Sequence, residues 1–533
     1  FGHLLPKGEG LVPTVPSVLQ KAEVLPFVYF TLTVVLALAI FGAAEPAAAR
    51  VGRLVLSVID ESDGKPLPCR MHLTNERNRN RRPPGLPALG NHFEFDGKLE
   101  LEVPLGNYKF EISCGPEYYA RSGHFRINDF ADDVQTVTMK RFVNMKLEGW
   151  WSGDLGVARS RHDLPLLVRA GDINVAEVIT WSNNSSLWAR QALPDDPVER
   201  LDDDHLLDVM AGHDATTGGG LTYHQLDKPA RVTGEHGSGV LAAEYAAEAR
   251  ARGGFVEVDA PYAADMPLWI ARGVVDGVRI AGPHLQKEGI VELAPGYRPR
   301  DRRNYAGANG LGRYTQEVYY HLLNCGLRIP PTGGTGSGIT EIPVGYNRTY
   351  VHCGESFEYD QWWQNLRAGR VVVTNGPMLR PLAEGEPPGH IFAAAAGERL
   401  KLELTLNLSF ADKVEYLEIV KNGEVAHHIL LDEFARRNGM LPELEFDESG
   451  WFLIRAVADT PNTYRFASSG PWYVQIGDKP RVSKASAQYM LAWVYERAGQ
   501  INEKDADQRR QQLTAWAETR DWWLERLKQA TVE

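Results

Sequence analysis

The spacing of apolar residues changes twice along the chain, and this change constrains the fold more than any other feature of the sequence. From about residue 50, apolar residues fall at every second position, as Leu54, Leu56 and Val58 do. After Trp150 short apolar segments alternate with segments of helical spacing, and from Leu400 the period of two returns. A period of two is typical of half-buried strands, whereas alternating strands and helices are typical of an α/β sheet. The sequence therefore predicts an α/β region between two all-β regions.

The length of 533 residues requires several domains, because a single hydrophobic core stops growing at roughly 250 to 300 residues. We expect a multidomain protein of the α/β plus all-β class. Its central domain is predicted to be a (β/α) barrel, since many alternating strands and helices favour a closed parallel sheet. The predicted divisions are a signal peptide or N-terminal anchor at 1–49, a β-sandwich at 50–143, the barrel at 144–382, a second β-sandwich at 383–478 and a C-terminal helical pair at 479–533.

The same patterns place individual elements. Two hairpins are predicted, at Pro104-Leu105-Gly106-Asn107 and at Asn422-Gly423, the second being a strong short-range hairpin signal. The last helix carries a stripe that is typical of a docked face, formed by Leu513, Trp516, Trp523 and Leu527. In the barrel the predicted strands are 175–179, 206–211, 255–258, 275–281 and 371–373, and the predicted helices are 241–252 and 313–325. Functional residues of a barrel lie at the carboxyl ends of its strands.

An uncharged apolar segment, residues 25–44, precedes the small residues Ala47, Ala48 and Ala49. This order is typical of an export signal and its cleavage site. We expect an exported protein, periplasmic or extracellular. The alternative is an uncleaved anchor, because about 20 apolar residues can span a bilayer, and this segment would then be the one membrane contact.

Charge and cysteine content limit the classes of partner. A net charge of −12 disfavours nucleic acid as a partner, since such binding depends on Lys and Arg neutralising phosphates. The basic run from Arg77 to Arg82 lies among Asn, Pro and Gly and is interpreted as a solvated loop. Export would permit disulfides: Cys69 and Cys114 fall in one predicted domain, and Cys325 and Cys353 in another. The alternative is that all four are small buried apolar residues.

Several short motifs of the central region resemble one known family. They carry the resemblance together, although each is weak alone, and they span about residues 147–378. The motifs are Glu148-Gly149-Trp150-Trp151-Ser152-Gly153-Asp154-Leu155, Asp163-Leu164-Pro165-Leu166-Leu167, Asp172-Ile173-Asn174-Val175-Ala176, Ala260-Pro261-Tyr262, Val275-Asp276-Gly277-Val278, Leu327-Arg328-Ile329-Pro330-Pro331, Pro343-Val344-Gly345-Tyr346-Asn347-Arg348 and Val373-Thr374-Asn375-Gly376-Pro377. This region resembles the CehA/McbA family of the polymerase and histidinol phosphatase (PHP) superfamily. The N-terminal β region resembles the transthyretin-like domains attached to secreted hydrolases.

The resemblance implies a distorted barrel that holds two or three divalent metal ions with His, Asp and Glu ligands. Such ions lower the pKa of a bound water and polarise the substrate oxygen. This chain departs from the family pattern at most of the ligand positions. Gly156 and Ala158 stand where the family has two histidines, and Gly336 and Gly338 stand where it has an aspartate and a histidine. Further departures are Thr180-Trp181-Ser182 in place of Thr-Asp-His and Ala260-Pro261 in place of His-Pro, and Gly212-His213-Asp214 only partly matches the motif that supplies a Glu.

Polar residues nevertheless remain at the predicted strand ends. Each one alone is typical of a structural polar group with its hydrogen bonds satisfied, but together they can line a pocket. The candidate pocket residues are Asp154, Arg159, His213, Asp214, Glu235, His236, Asp259, His284 and Arg348.

Three hypotheses follow. The first is a degenerate metallohydrolase homologue without cofactors, whose cleft binds a small molecule or glycan, with Trp150, Trp151 and Trp181 as stacking surfaces or as core. The second is an active metal-dependent hydrolase with a shifted Zn, Mn or Fe site at His213, Asp214, His236, Asp259 and His284. The third is a structural surface protein that offers interaction area.

Overall fold

The computed structural model describes residues 51–128, 132–183, 188, 191–230, 232, 237–293 and 295–533. Residues from Val51 to Glu533 form one compact unit. The predicted export signal lies outside the described residues. Within the described part of the chain, no helix has the length and apolar character needed to cross a membrane.

The N-terminal region is all β, as its period of two predicts. In the fifth strand Leu99, Leu101 and Val103 are buried while the residues between them face solvent. The strands are β1 (Val51–Asp60), β2 (Pro68–Asn75), β3 (Ala88–Leu89), β4 (His92–Asp96), β5 (Lys98–Pro104), β6 (Gly106–Ser113), β7 (Arg121–Ile127) and β8 (Asp132–Met139). They form two sheets, of order β5-β1-β8 and β3-β4-β2-β6-β7, around a shared apolar core.

The predicted hairpin at residues 104–107 is wrong. Strand β5 pairs with β1 and strand β6 pairs with β2, so the connection crosses from one sheet to the other. The two strands bury their apolar residues against different partners, β1 and β2. At the crossing, Pro104 has no N–H to donate to a ladder, and Gly106 turns the chain with a φ of 143°. The Tyr108 hydroxyl donates to the Pro104 carbonyl at 2.7 Å and fixes this turn.

The central region alternates strands and helices; the predicted strand 255–258 is found with the same ends, and the other predicted elements are found with shifted ends. The elements are β9 (Trp150–Val157), α1 (Leu164–Gly171), β10 (Val175–Ser182), β11 (Val198–Arg200), β12 (Leu206–Thr216), β13 (Gly219–His224), α2 (Gly239–Ala251), β14 (Phe255–Val258), α3 (Met266–Ala271), β15 (Gly277–Ala281), β16 (Leu285–Gln286), β17 (Gly289–Ile290), α4 (Gly307–Asn324), β18 (Pro331–Gly333), β19 (Arg348–His352), α5 (Tyr359–Arg367) and β20 (Val371–Thr374).

The central sheet is mixed, not purely parallel as the alternation predicts. Strands β9, β10 and β12 are parallel to one another, and so are β14, β15 and β18. Strand β13 runs antiparallel between these two sets because a tight turn through Gly218, without a helix, joins it to β12. Beyond β18 the chain returns to β9, where Val157 and Ser337 form a parallel bridge. The carboxyl ends of β9, β15 and β18 therefore meet.

The C-terminal region continues the same sheet, because β29 pairs with β20 of the central region. Its turn at Asn422-Gly423 is the predicted hairpin, with both residues at positive φ. The elements are β21 (Met378–Ala383), β22 (Ile391–Ala394), β23 (Leu400–Leu402), β24 (Leu404–Ser409), β25 (Val414–Lys421), β26 (Glu424–Ile429), α6 (Leu431–Arg436), β27 (Leu444–Phe446), β28 (Gly450–Ala458), β29 (Phe466–Ser469), β30 (Trp472–Ile476), α7 (Lys484–Gly499) and α8 (Ala506–Lys528).

The two C-terminal helices dock on the central region. The side chain of Asp505 caps α8 by accepting from two backbone N–H groups. Trp516 and Trp523 are buried, and the Trp523 indole donates to the Pro267 carbonyl at 3.0 Å. Leu513, which the stripe predicts to be buried, is 45% exposed. The chain as a whole is a mixed α/β protein in which strands dominate and several sheets form β-sandwich layers.

Candidate functional site

A chain of buried charged residues lies inside the central sheet. Acidic and basic side chains alternate along it, and most of them come from the middle of strands that are otherwise apolar. Its buried members are Glu177 on β10, His224 on β13, Glu257 on β14, Asp259 directly after β14 and Arg279 on β15, and the half-buried His213 on β12 completes it.

Arg279 is the central cation of this chain. Its guanidinium donates to Glu257 and, at 2.9 Å, to the Leu155 carbonyl, and it lies 3.8 Å from Asp259. Burial alone would lower the pKa of Arg279, but the charges of Glu257 and Asp259 raise it above its ordinary value. The guanidinium is therefore a permanent positive charge inside the sheet.

Asp259 is held by three partners. His213 Nε2 lies 2.8 Å from Asp259 Oδ2, and the Thr222 hydroxyl donates to Oδ1 at 2.7 Å. Burial would raise the pKa of Asp259, but the positive charges of His213 and Arg279 lower it below its usual range. Asp259 is thus a carboxylate at neutral pH, and its negative charge helps raise the pKa of His213 against the effect of burial.

His224 bridges two buried acids. Its ring nitrogens lie 3.2 Å from Glu177 and 3.3 Å from Glu257. Burial would lower the pKa of His224, but its hydrogen bonds to both acids outweigh burial and raise the pKa to about 9. Beyond Glu177, burial and the Glu177 charge raise the pKa of Asp208 to about 8, and Tyr359 donates to Asp208.

Two of the predicted pocket residues are structural. Asp154 is fully buried, and its carboxylate accepts from the N–H groups of Gly156, Thr335 and Gly345 and from the Thr335 hydroxyl. Arg348 donates to the carbonyls of Gly171, Asp172 and Gly345. The hydrogen bonds of each side chain connect its strand to neighbouring loops, so its polar atoms serve the fold.

Other predicted residues are separated from one another. Asp214 accepts from Asn183 and Tyr223, because it points to the opposite face of β12 from His213. Arg159 is buried near Glu94 and Asp163, and burial lowers its pKa. The remaining two, Glu235 and His236, lie outside the described residues.

His284 is fully buried, and neither ring nitrogen has a hydrogen-bond partner. Its ring meets Tyr262 edge-on at 5.9 Å between centroids. Burial and then the Arg279 charge lower its pKa to about 3, so the imidazole is neutral. Of the predicted pocket residues with a described position, the structure brings only His213 and Asp259 into contact.

Two of the glycine positions at the strand ends, Gly156 and Gly338, do not fit a metal centre. A Cβ added at Gly156 would lie 3.4 Å from Arg279 Nη1, so the guanidinium stands where a longer side chain would reach. At Gly338, which has a φ of 99°, a Cβ would lie 1.8 Å from the Ala158 carbonyl oxygen. Elsewhere in the described residues, no group of three or more His, Cys, Asp or Glu side chains is placed to hold a metal ion.

A cleft of about 460 Å³ lies between the N-terminal β region and two loop segments of the central region, residues 286–288 and 341–343. One wall is formed by the β16–β17 hairpin and by the loop after β18, and the other wall by strands and loops of the N-terminal β region. The lining residues are Arg70, His72, Asn80, Arg82, Gly90, Asn91, His92, Glu111, Ser113, Gln286, Lys287, Glu288, Glu341, Ile342 and Pro343.

Charges of both signs line this cleft. Lys287 on one wall pairs with Glu111 on the other at 2.6 Å, and Arg70 donates to the Val344 carbonyl at 3.2 Å. Among the described residues, Glu288 and Glu341 have no ion-pair partner. Burial, with a smaller contribution from Arg70, lowers the pKa of His92 to about 2 and keeps this imidazole neutral.

Sequence reasoning missed the cleft entirely, because its walls come from segments that are far apart in the chain. One feature of the sequence could have indicated part of the cleft. The basic run at residues 77–82 was interpreted as a solvated loop, yet Arg82 lines the cleft and donates to the Gly90 carbonyl.

The tryptophans lie away from the cleft. Trp150 and Trp151 are buried at the start of β9, where Trp151 stacks on Phe357. Trp181 stacks on Tyr223 and donates to the Met210 carbonyl. Of the two roles considered for them, core packing is correct.

Comparisons with known proteins do not place the chain in a family. No protein-family model and no curated protein matches it. It shares 19% identity with the Bacillus anthracis TIE protein over 21% of this chain and 20% of that one, with a TM-score of 0.15. The fibronectin(III)-like modules of Clostridium thermocellum CbhA share 17% identity over 24% of this chain and 62% of that one, with a TM-score of 0.13.

A Parabacteroides merdae β-glucuronidase shares 9% identity over 79% of this chain and 61% of that one, with a TM-score of 0.16. The chain spans less than two thirds of the length of each of these three proteins.

Proposed function

We propose that this protein is an exported binding protein that takes a small polyhydroxylated ligand, such as a sugar or a glycan end, in the cleft between the N-terminal β region and the loops of the central region. The observation that carries the proposal is the cleft itself. Its volume of about 460 Å³ falls within the roughly 300 to 1,000 Å³ that is usual for small-molecule sites. It also lies between two regions of the chain, and small-molecule sites occur preferentially at such junctions.

The ligand class follows from the lining. The cleft presents amide, imidazole, guanidinium and carboxylate groups, with no aromatic side chain apart from the two histidines. Three basic residues (Arg70, Arg82 and Lys287) face three acidic ones (Glu111, Glu288 and Glu341), so neither sign of charge dominates. A neutral ligand with many hydroxyl groups can both donate to and accept from such a surface. A strongly charged ligand would meet repulsion from half of it.

The framework in this proposal is a PHP-like barrel of the CehA/McbA type, preceded by a transthyretin-like domain. It is supported by the motifs between residues 147 and 378 and by the two sets of parallel strands. In this lineage the protein is a member whose metal centre has been replaced. Arg279 supplies the positive charge among Glu257, Asp259 and His224, and Gly338 leaves no room for a ligating side chain.

The shifted-metal hypothesis receives less support. It requires His213, Asp214, Asp259 and His284 to converge with His236, which lies outside the described residues. Only His213 and Asp259 touch, and Asp259 already has Thr222 and Arg279 beside it. We therefore do not propose a hydrolase with a displaced metal.

The test is a binding screen by saturation-transfer NMR and calorimetry. The probes are N-acetylglucosamine, galactose, glucuronate and myo-inositol, each measured with and without a chelator. We expect at least one probe to bind equally in both conditions. The double substitution Asn80→Ala and Arg82→Ala should weaken that binding by at least about tenfold, because each lost hydrogen bond to a ligand costs about 1 kcal/mol or more.

The matched control is Arg79→Ala, which removes an exposed guanidinium beside the cleft without touching its lining. It should bind the same probe as tightly as the unaltered protein does. Failure of all four probes, or equal binding by the double variant, would contradict the proposal. Turnover of phosphoester substrates with a stoichiometric metal would favour the hydrolase hypothesis instead.

A further inference from the structure

Two cysteines of the N-terminal β region face each other across neighbouring strands. The ladder between β2 and β6 ends with the pair Arg70 and Ser113. Continued by one residue in the same register, it sets Cys69 opposite Cys114. Directly opposite residues of antiparallel strands have Cα atoms about 4.5 to 5.5 Å apart, which lies inside the roughly 4.4 to 6.8 Å that a disulfide spans.

The two thiols also share one environment. Cys69 is fully buried and Cys114 is 3% exposed, and both belong to the apolar core of the N-terminal region. Burial, and then the hydrogen bond from Cys114, raise the pKa of the Cys69 thiol well above its ordinary value. Both cysteines are in the thiol form in this structure.

We propose that Cys69 and Cys114 form a cross-strand disulfide when the protein folds in an oxidising compartment. The oxidant is a disulfide, either glutathione disulfide or a protein disulfide oxidase. One thiolate attacks it to form a mixed disulfide, and the second thiolate displaces the reduced carrier. Two protons and two electrons leave the pair, the S–S bond forms, and the oxidant becomes a dithiol or two thiols.

The order of events follows from burial. In the folded protein neither sulfur is reachable and the thiolate is disfavoured, so exchange takes place before the core closes. Once formed, the bond is equally protected from reductants. It closes a loop that contains β3, β4, β5 and β6 and fixes the strands that present Arg70 and Ser113 to the cleft. The inference does not depend on what the cleft binds.

Cys325 and Cys353 provide an internal control. Cys325 ends α4 and belongs to one apolar core, whereas Cys353 follows β19 and belongs to another. Both are buried thiols. They have no sulfur partner among the described residues, so they should remain thiols under the same conditions.

The experiment uses the full chain, refolded from urea in a buffer of oxidised and reduced glutathione. The product is denatured again without reductant, alkylated with N-ethylmaleimide and analysed by mass spectrometry. We expect two alkylated cysteines per chain and one linked peptide that joins Cys69 to Cys114. Reduction before refolding into glutathione-free buffer should give four alkylated cysteines and a melting temperature lower by about 5 °C.

Two variants make the result specific. Cys325→Ala should retain the link and show one alkylated cysteine, whereas Cys69→Ala should show three and no link. Four alkylated cysteines in the unaltered chain after glutathione refolding would overturn the proposal, and so would a link that involves Cys325 or Cys353. The count is made on denatured protein, so a folding defect in a variant does not obscure it.

Discussion

At the scale of single residues, the charge balance inside the central sheet depends on Arg279. Glu257 beside it is fully buried, and Asp259 is 8% exposed, so water solvates the first not at all and the second only weakly. Removing one partner of a buried ion pair leaves an uncompensated charge, which is far more destabilising than losing a surface pair. The loss in free energy of unfolding on replacing Arg279 should therefore show whether its charge stabilises the fold.

We therefore expect Arg279→Met to lower the free energy of unfolding by about 3 to 5 kcal/mol, measured by urea denaturation. Adding Glu257→Gln to that variant should recover part of the loss, because it removes the stranded charge. The control is Arg272→Met, whose pair with Glu518 is about half exposed and should contribute less than about 1 kcal/mol. Equal losses in the two single variants would contradict this assignment.

Stability should also fall as the pH rises from 6.5 to 9. The pKa of His224 is about 9 in the folded protein and about 6.5 in an unfolded chain, so the folded state holds an extra proton across this window. Its stabilising contribution is complete below pH 6.5 and is lost as the pH rises through 9. Asp208, whose pKa is raised to about 8, acts in the same direction up to that pH.

The slope should be about 1 kcal/mol per pH unit, measured by urea unfolding at pH 6.5, 7.5 and 8.5. His224→Gln keeps a polar side chain but removes the titrating ring, so its slope should be shallower. A variant with the same slope as the unaltered protein would show that other groups dominate.

Sequence reasoning at this scale found the residues that end strands and missed those inside them. His213 and Asp259 were predicted and do meet. Glu257 and Arg279 were passed over because they sit in the apolar strands 255–258 and 277–281. The usable signal was that each of these buried strands carries a single charge, and that the two charges are opposite.

At the scale of elements, periodicity placed the strands and helices well, but it could not determine how the strands pair. The alternation in β5 and β6 is genuine, yet the two strands belong to different sheets. Pairing depends on which partner buries the apolar face, and a local pattern does not contain that information. For the same reason, the local pattern did not indicate that a tight turn joins β13 to β12 and makes the two strands antiparallel.

Helix α8 offers a test of docking at this scale. Trp523→Ala should lower the free energy of unfolding by about 3 to 5 kcal/mol, because it empties a fully buried site against α3. Leu513→Ala lies on the same predicted stripe but is 45% exposed and should change stability by less than about 1 kcal/mol. Thermal and urea unfolding would measure both, and comparable losses would mean that the whole stripe is docked.

At the scale of the whole molecule, the described residues behave as one unit. The large sheet crosses residue 383, where a domain boundary was predicted, through the pairing of β20 with β29. One apolar core contains Trp150 and Tyr350 from the central region together with Leu404 and Phe452 from the C-terminal region. The cleft likewise needs two regions at once, which is why no single segment of sequence predicted it.

We expect calorimetry of the full chain to show one unfolding transition for these regions. A chain truncated after residue 382 should fail to fold, because it loses the strand that pairs with β20 and half of the shared core. Limited proteolysis at residues 384–389 should leave the fragments associated. A separate, reversible transition of the C-terminal region would contradict this expectation.

The guanidinium of Arg279 also has a consequence for how the protein is made. A positive charge on a side chain is present in every molecule once the chain has been synthesised, and it cannot dissociate from the protein. Folding around Glu257 and Asp259 can therefore use a compensating charge that the chain itself supplies.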